Sequence, residues 1–291
     1  MRQLRGTGVA MVTPFNSDMS IDFSSMEKIL NHIIEGGVSY VVVLGTTGEA
    51  TTLSDEEKQA VISFTVESTE GRVPVIAGVG GNNTGSVIDS ILSLDLEGVD
   101  ALLSVSPCYN KPSQEGLYQH YKAIATSSPL PVILYNVPSR TAGNITAETT
   151  LRLAHDFSNI AGIKEASGDM CQVMKIIRDR PGEFKVISGD DMTALQIIAA
   201  GGDGVISVLS NVYPSEWSKM VSLALNENFS EARDIHYRHL DPIEMLFEDG
   251  NPAGIKAFLY AMSLCKNKLR LPLVPVNSDL YGRISSFVKT Y

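Results

Sequence analysis

Eight short apolar runs recur along the chain, and stretches of helical periodicity separate them. The runs are GVAMVTP (8–14), YVVVLG (40–45), PVIAGVG (74–80), ALLSVSP (101–107), PVILYNV (131–137), IAGIKEA (160–166), FKVIS (184–188) and GVISVLS (204–210). Each is rich in Val and Ile and apolar on both alternating sets of positions. That is the pattern of a strand buried on both faces in a parallel sheet. Parallel neighbours need a crossover helix between them, and the intervening sequence supplies one each time. Met26, Ile29, Leu30, Ile33 and Ile34 form a helical stripe closed by Gly36-Gly37. Ser54 with Glu57 reads as a capping box. Val87, Ile91 and Leu94 form a stripe that stops at Gly98, Ser113 and Thr146 can cap two further helices, and Met192 to Ala200 reads as a packed helix. Eight evenly spaced strand–helix units predict a closed (β/α)8 TIM barrel in preference to a doubly wound open sheet.

The chain continues after the eighth run for about 80 residues with helical periodicity and no strand pattern. This predicts a barrel over residues 1–224 and a C-terminal helical segment over 225–291, with a break near Pro242. A chain of 291 residues is long enough for that single barrel and its extension. His236 and His239 stand three apart in the extension without a third ligand and read as a solvated helix face, so no metal is expected. The formal net charge of −10 argues against nucleic-acid and anionic-membrane partners, which need basic surface. No apolar run reaches the ~18 residues of a membrane span. The three cysteines lack C-x-x-C spacing, and MRQLRGTGVAMVTPF lacks a signal-peptide core, so the expectation is a cytoplasmic protein without disulfides.

Active sites of such barrels are built at the carboxyl ends of the strands. The sixth run places Lys164 there, in the middle of apolar sequence, where an ammonium is costly to bury. Glu165 points to the opposite face and is a poor partner for it. Either another carboxylate pairs with Lys164, or it is a Schiff-base lysine whose amine an apolar surround shifts down from ~10.4 toward nucleophilicity near neutral pH; the position favours the second. Gly45-Thr46-Thr47-Gly48 after the second run is either a plain turn or a nest of hydroxyls and N–H groups for a carboxylate. It lacks the Gly-Lys-Ser/Thr ending of a Walker A loop, and GVGGNNTG (78–85) lacks the third glycine of a dinucleotide fingerprint. Tyr135 is either a core aromatic or a proton relay beside the lysine. Arg140 is either a surface charge or a fork for a substrate carboxylate.

Four motifs, GTTGE (45–49), SPCYNKPSQEGLYQHY (106–121), YNVPSRT (135–141) and GIKEASGD (162–169), stand in order at the ends of the second, fourth, fifth and sixth runs. In this the chain resembles the dihydrodipicolinate synthase family, pyruvate-dependent class I aldolases that also include N-acetylneuraminate lyase. The resemblance implies an imine between Lys164 and pyruvate, and a proton relay of Thr46, Tyr135 and Tyr109. Tyr109 would reach into a neighbouring subunit's site, which implies a homo-oligomer, a dimer or a dimer of dimers. It further implies that Thr47 holds the pyruvate carboxylate, that Arg140 binds the carboxylate of aspartate 4-semialdehyde, and that Gly189 and Ile206 line the pocket. No cofactor is implied, because the lysine itself supplies the electron sink. Arg140 and the Thr46-Thr47 pair favour condensation with the semialdehyde, in lysine and diaminopimelate synthesis, over the alternative, a lyase acting on a keto-sugar acid. Lysine-inhibited members of the family use polar groups at positions that are here Ala50, Thr51, Asp55, Lys58, Asn82, Ser86 and Cys108. Only Asn82 keeps the type, which predicts weak or absent feedback by lysine.

Overall fold

A computed structural model describes residues 4–290. Eight strands, β1 (Gly6–Ala10), β2 (Tyr40–Val43), β3 (Val75–Gly80), β4 (Ala101–Val105), β5 (Val132–Asn136), β6 (Ile160–Glu165), β7 (Lys185–Ser188) and β8 (Gly204–Ser207), close into one barrel in chain order. Every neighbouring pair is parallel, and β1 pairs with β8 in the register Gly8 opposite Ile206. The (β/α)8 expectation is therefore met, and closure leaves no sheet edge exposed.

Two apolar clusters hold the fold. Inside the barrel lie Tyr40, Val42, Ile76, Leu103, Ile133, Ile187 and Ile206 with their neighbours. Between the barrel and its jacket of helices lies the larger cluster, with Val41, Val43, Leu102, Leu134 and Ile163 pointing outward. Alternate strand residues thus feed both layers, which is why the runs read as apolar on both faces. Tyr40 fills space left open by Gly8, where an added Cβ would lie 2.1 Å from its ring.

The caps form where their residues suggest. Ser54 and Glu57 make a full capping box, and Ser113 and Thr146 accept from the N–H groups of Gly116 and Thr149. Several boundaries differ from the sequence reading, two of them with a plain local account. The first strand ends at Ala10 instead of Pro14, because Val12 turns its N–H to the Asn211 side chain and Thr13 bonds to Gly48. The helix Thr84–Ser93 ends well before Gly98, with Leu94 already extended.

After β8 the chain forms helices Pro214–Leu225, Phe229–Arg238, Leu240–Glu248, Ala253–Ala261 and Ser278–Thr290. The break falls at His239, and Pro242 sits in the first turn of the following helix, where its missing N–H costs nothing. The solvated reading of the two histidines is overturned: His236 and His239 are 1% and 0% exposed. Both pack on Trp217, with ring centroids 5.6 and 5.7 Å away. Their imidazoles serve as core aromatics, with His236 Nε2 met by the Asp191 carbonyl, His239 Nδ1 by the Ile235 carbonyl and His239 Nε2 by the Glu216 carboxylate. Among the described residues no group of three or more His, Cys, Asp or Glu could hold a metal ion, the three cysteines are free, and no helix is long and apolar enough to cross a membrane.

Candidate active site

The strand register brings the predicted groups to one level. Lys164 is opposite Tyr135 on one side and Ile187 on the other, so all three point into the barrel. The Lys164 amine sits 4.3 Å from the centre of the Tyr135 ring. Both side chains are buried, yet both line a cavity of about 420 Å³ at the carboxyl ends of the strands. Gly189 permits this placement: an added Cβ would lie 3.1 Å from Lys164 Cγ and Cε and 2.8 Å from Ala166 Cβ.

Glu165 faces the other way, as the strand period requires. Its carboxylate accepts from both Asn136 (3.1 Å) and Gln172 (2.9 Å), and from the Ser167 N–H (2.7 Å). Asn144 joins the same network through Asn136 and Gln172. No carboxylate pairs with Lys164 among the described residues, so the ion-pair reading of that lysine fails. The buried carboxylate one residue away instead ties the end of β6 to β5 and to the loops behind it.

The turn after β2 supplies the cavity's opposite wall. Gly45, Thr46 and Thr47 line it, Thr46 exposed to the cavity and Thr47 buried. The turn is held from below by the Thr13 hydroxyl, which donates to the Gly48 carbonyl at 2.7 Å. Glu49 follows in left-handed backbone conformation, φ 52°. Its carboxylate is buried against the Lys256 ammonium and accepts the Arg270 N–H at 3.1 Å. Burial pushes the Lys256 ammonium below its ordinary pKa, and the Glu49 charge opposes this.

Arg140 rides on the one-turn helix Pro138–Thr141 and reaches the cavity mouth, where its Nη2 donates to the Asn251 carbonyl at 3.3 Å. A second cavity of about 450 Å³ opens past Thr46, Tyr135, Arg140 and Asn251 and runs along Ala50–Thr52, Asp55 and Lys58.

The structure thus gathers Lys164, Tyr135, Thr46, Thr47, Arg140 and Gly189 around one space. It does not bring Tyr109 or Ile206 there. Tyr109 is 89% exposed and stands in left-handed backbone conformation (φ 69°). Ile206 is buried in the apolar cluster inside the barrel. Sequence reasoning missed Asn251, whose side-chain amide donates to Thr47 Oγ1 at 2.9 Å. No local motif marks Asn251, which lies some 200 positions after the turn it meets.

A cavity bearing a buried amine, a phenol, two threonine hydroxyls and a guanidinium can hold a small oxo-acid and form an imine with it. The comparisons agree with that chemistry. The model of the dihydrodipicolinate synthetase family matches residues 3–291. A 4-hydroxy-tetrahydrodipicolinate synthase of Flavobacterium psychrophilum is 53% identical, over 99% of both chains. The synthase of Bacillus subtilis is 45% identical over 96% of each. The crystal structure of dihydrodipicolinate synthase from Thermotoga maritima superposes with a TM-score of 0.95 at 39% identity, covering 98% of both chains. Motif order, barrel geometry and similarity along the whole length lead to the same place: this chain belongs to the dihydrodipicolinate synthetase family.

Proposed function

We propose that this protein condenses pyruvate with L-aspartate 4-semialdehyde to 4-hydroxy-tetrahydrodipicolinate, through an imine on Lys164. The observation that carries the reading is the Lys164 amine, buried at the strand ends 4.3 Å from the Tyr135 ring, with Arg140 at the mouth of the same cavity.

The amine attacks the pyruvate ketone in its neutral form. Tyr135 and Thr46 pass protons to the departing hydroxyl, water leaves, and an imine forms. Thr47 holds the pyruvate carboxylate meanwhile. The imine accepts the electron pair released when the pyruvate methyl group loses a proton, giving an enamine. The enamine carbon attacks the aldehyde carbon of the second substrate, whose carboxylate lies on the Arg140 fork, and the aldehyde oxygen takes up a proton. The second substrate's own amine then adds to the imine carbon, expels Lys164 and closes the ring. One water is released overall, and the lysine is regenerated.

Tyr109 completes the relay from a neighbouring copy, so the working unit is at least a dimer. Its 89% exposure in the single chain supports that arrangement. The barrel over 1–224 carries the chemistry, and the segment 225–291 closes one side of the site through Asn251.

The test is a paired condensation assay with pyruvate and either aspartate 4-semialdehyde or N-acetylmannosamine. Turnover with the semialdehyde alone is expected, and borohydride in the presence of pyruvate should trap an adduct on Lys164. Turnover with the sugar alone would refute the role given to Arg140.

A further inference from the structure

Thr47 is buried, lines the cavity and has one hydroxyl to offer. A threonine hydroxyl carries one proton, so a neighbour that takes that proton disables it as a donor to a bound anion. Asn251 is the neighbour in contact. It is 7% exposed, lines both cavities, and its Nδ2 donates to Thr47 Oγ1 at 2.9 Å. A donor on that oxygen occupies a lone pair and leaves the Thr47 proton free for the cavity. The main-chain carbonyl of the same residue accepts from Arg140 at 3.3 Å. Asn251 Oδ1 is buried without a hydrogen-bond partner. An uncompensated buried acceptor is a stability cost, which an alanine here would avoid.

We propose that Asn251 is a positioning residue for the condensation: its side-chain amide commits the Thr47 hydroxyl to donate to the first substrate's carboxylate, while its backbone carbonyl holds the Arg140 fork at the entry of the second. The proposal rests on the function assigned above and adds a group from the C-terminal segment to it. The two contacts are separable, because only the first uses the side chain. The role also dictates polarity. Aspartate at 251 has the same shape but only accepts when ionised, so it would draw the Thr47 proton away from the cavity and add a negative charge beside an anionic substrate.

The imine mechanism releases water before the aldehyde adds, so kcat/KM for pyruvate reports the first half-reaction and kcat/KM for the semialdehyde the second. N251A should lower kcat/KM for pyruvate about tenfold, the scale of one misdirected hydrogen bond to a charged group. It should leave the semialdehyde constant within about twofold, because the backbone contact to Arg140 survives. N251D should fall further, by about a hundredfold, for the added charge. In a T47V background the hydroxyl is gone, and N251A should add no further loss.

Pyruvate constants within twofold of wild type in both N251A and N251D would overturn the proposal. So would equal losses in both half-reactions, which would mark general structural damage, or full additivity of N251A with T47V. Should N251A not fold, N251D carries the comparison between the two half-reactions. Borohydride trapping of pyruvate on wild-type Lys164 separates the two levels. No wild-type adduct would remove the assigned function itself; a normal adduct with unaffected variants would remove the role of Asn251 alone.

Discussion

Changing Lys256 to Met tests whether a buried ion pair holds the turn that carries Thr46 and Thr47. The stem of Met is close in volume to that of Lys, so the change mainly removes charge. Lys256 and Glu49 are 0% and 2% exposed, and the ammonium also donates to the Lys268 carbonyl at 2.9 Å and lies 4.1 Å over the Phe15 ring. Without it, Glu49 remains a buried carboxylate with the Arg270 N–H as its remaining donor. Removing one partner of a buried pair costs about 3–5 kcal/mol, because the other charge is stranded. A chain of this length melts with an entropy of about 0.6 kcal/mol/K, so the midpoint should drop by about 5–8 °C. Differential scanning calorimetry with urea titration reads the change. The double variant Lys256→Met/Glu49→Gln removes both charges and keeps an oxygen for Arg270, so it should recover at least ~1 kcal/mol of the loss. A midpoint within about 1 °C of wild type for the single variant, or a double variant less stable than the single one, would refute the reasoning.

Other outcomes follow from the same geometry. Arg140→Ala should lower kcat/KM for the semialdehyde about a hundredfold, the scale of a lost charged hydrogen-bond pair, while borohydride still traps pyruvate on Lys164; unchanged condensation would remove its assigned role. Tyr109→Phe should slow turnover by ~10²-fold without unfolding the chain, since the change removes only a hydroxyl; a wild-type rate would exclude it from the relay. L-lysine at sub-millimolar concentration should not half-inhibit the enzyme, because Lys58 stands in the second cavity paired with Asp55 at 2.8 Å, and Ser86 offers no carboxylate. Stability should fall on acidification. Burial pushes His120 down to about 4, and lowers His236 and His239 as well. The folded chain therefore favours neutral imidazoles: the His120 contribution is whole above about 6.5 and lost as pH falls to about 4, and those of His236 and His239 change in the same direction. Asp191 opposes this: burial raises it to about 6, so its contribution is whole below the ordinary carboxylate range and lost as pH rises through 6. His120→Gln removes one of these contributions and leaves Asp191 in place, so wild type should lose more of its melting midpoint between pH 7 and pH 4.5 than the variant does; an equal or smaller loss in wild type would contradict the sign.

The barrel was legible because its signal is local. Each strand is a short run apolar on both faces, and several of the helices begin with a side chain that caps their own first turn, as Ser54, Ser113 and Thr146 do. Lys164 was legible for the same reason: a lysine inside such a run must face either the interior or a partner. What the sequence hid depends on contacts between distant positions. The burial of His236 and His239 follows from Trp217, about twenty residues earlier, which gives two imidazoles an aromatic surface to pack on. The first strand is cut short by Asn211, which lies 199 positions from the Val12 N–H it accepts. Asn251 and Lys256 meet Thr47 and Glu49 across more than 200 positions. Periodicity and motif spacing carry no information about such pairs.

The one-residue offset between Lys164 and Glu165 shows how the fold reconciles reactivity with rigidity. A strand sends neighbours to opposite faces. A site on a strand end can therefore keep its reactive amine in the cavity and place the polar network that locks the strand on the far side. Here Glu165, Asn136, Asn144 and Gln172 form that network, satisfied by one another and by backbone N–H groups. Lys164 is left without a carboxylate partner among the described residues, as the imine-forming role proposed above requires. The turn after β2 follows the same rule. Thr46 and Thr47 face the cavity, and Glu49, two residues on, is fastened behind it to Lys256 and Arg270. In both places the charge that stabilises the scaffold is buried away from the reacting space, so either anchor can fail without changing the identity of a reacting group. Loss of Glu165 or Glu49 should therefore be felt first in stability and in the placement of the groups that bind substrate.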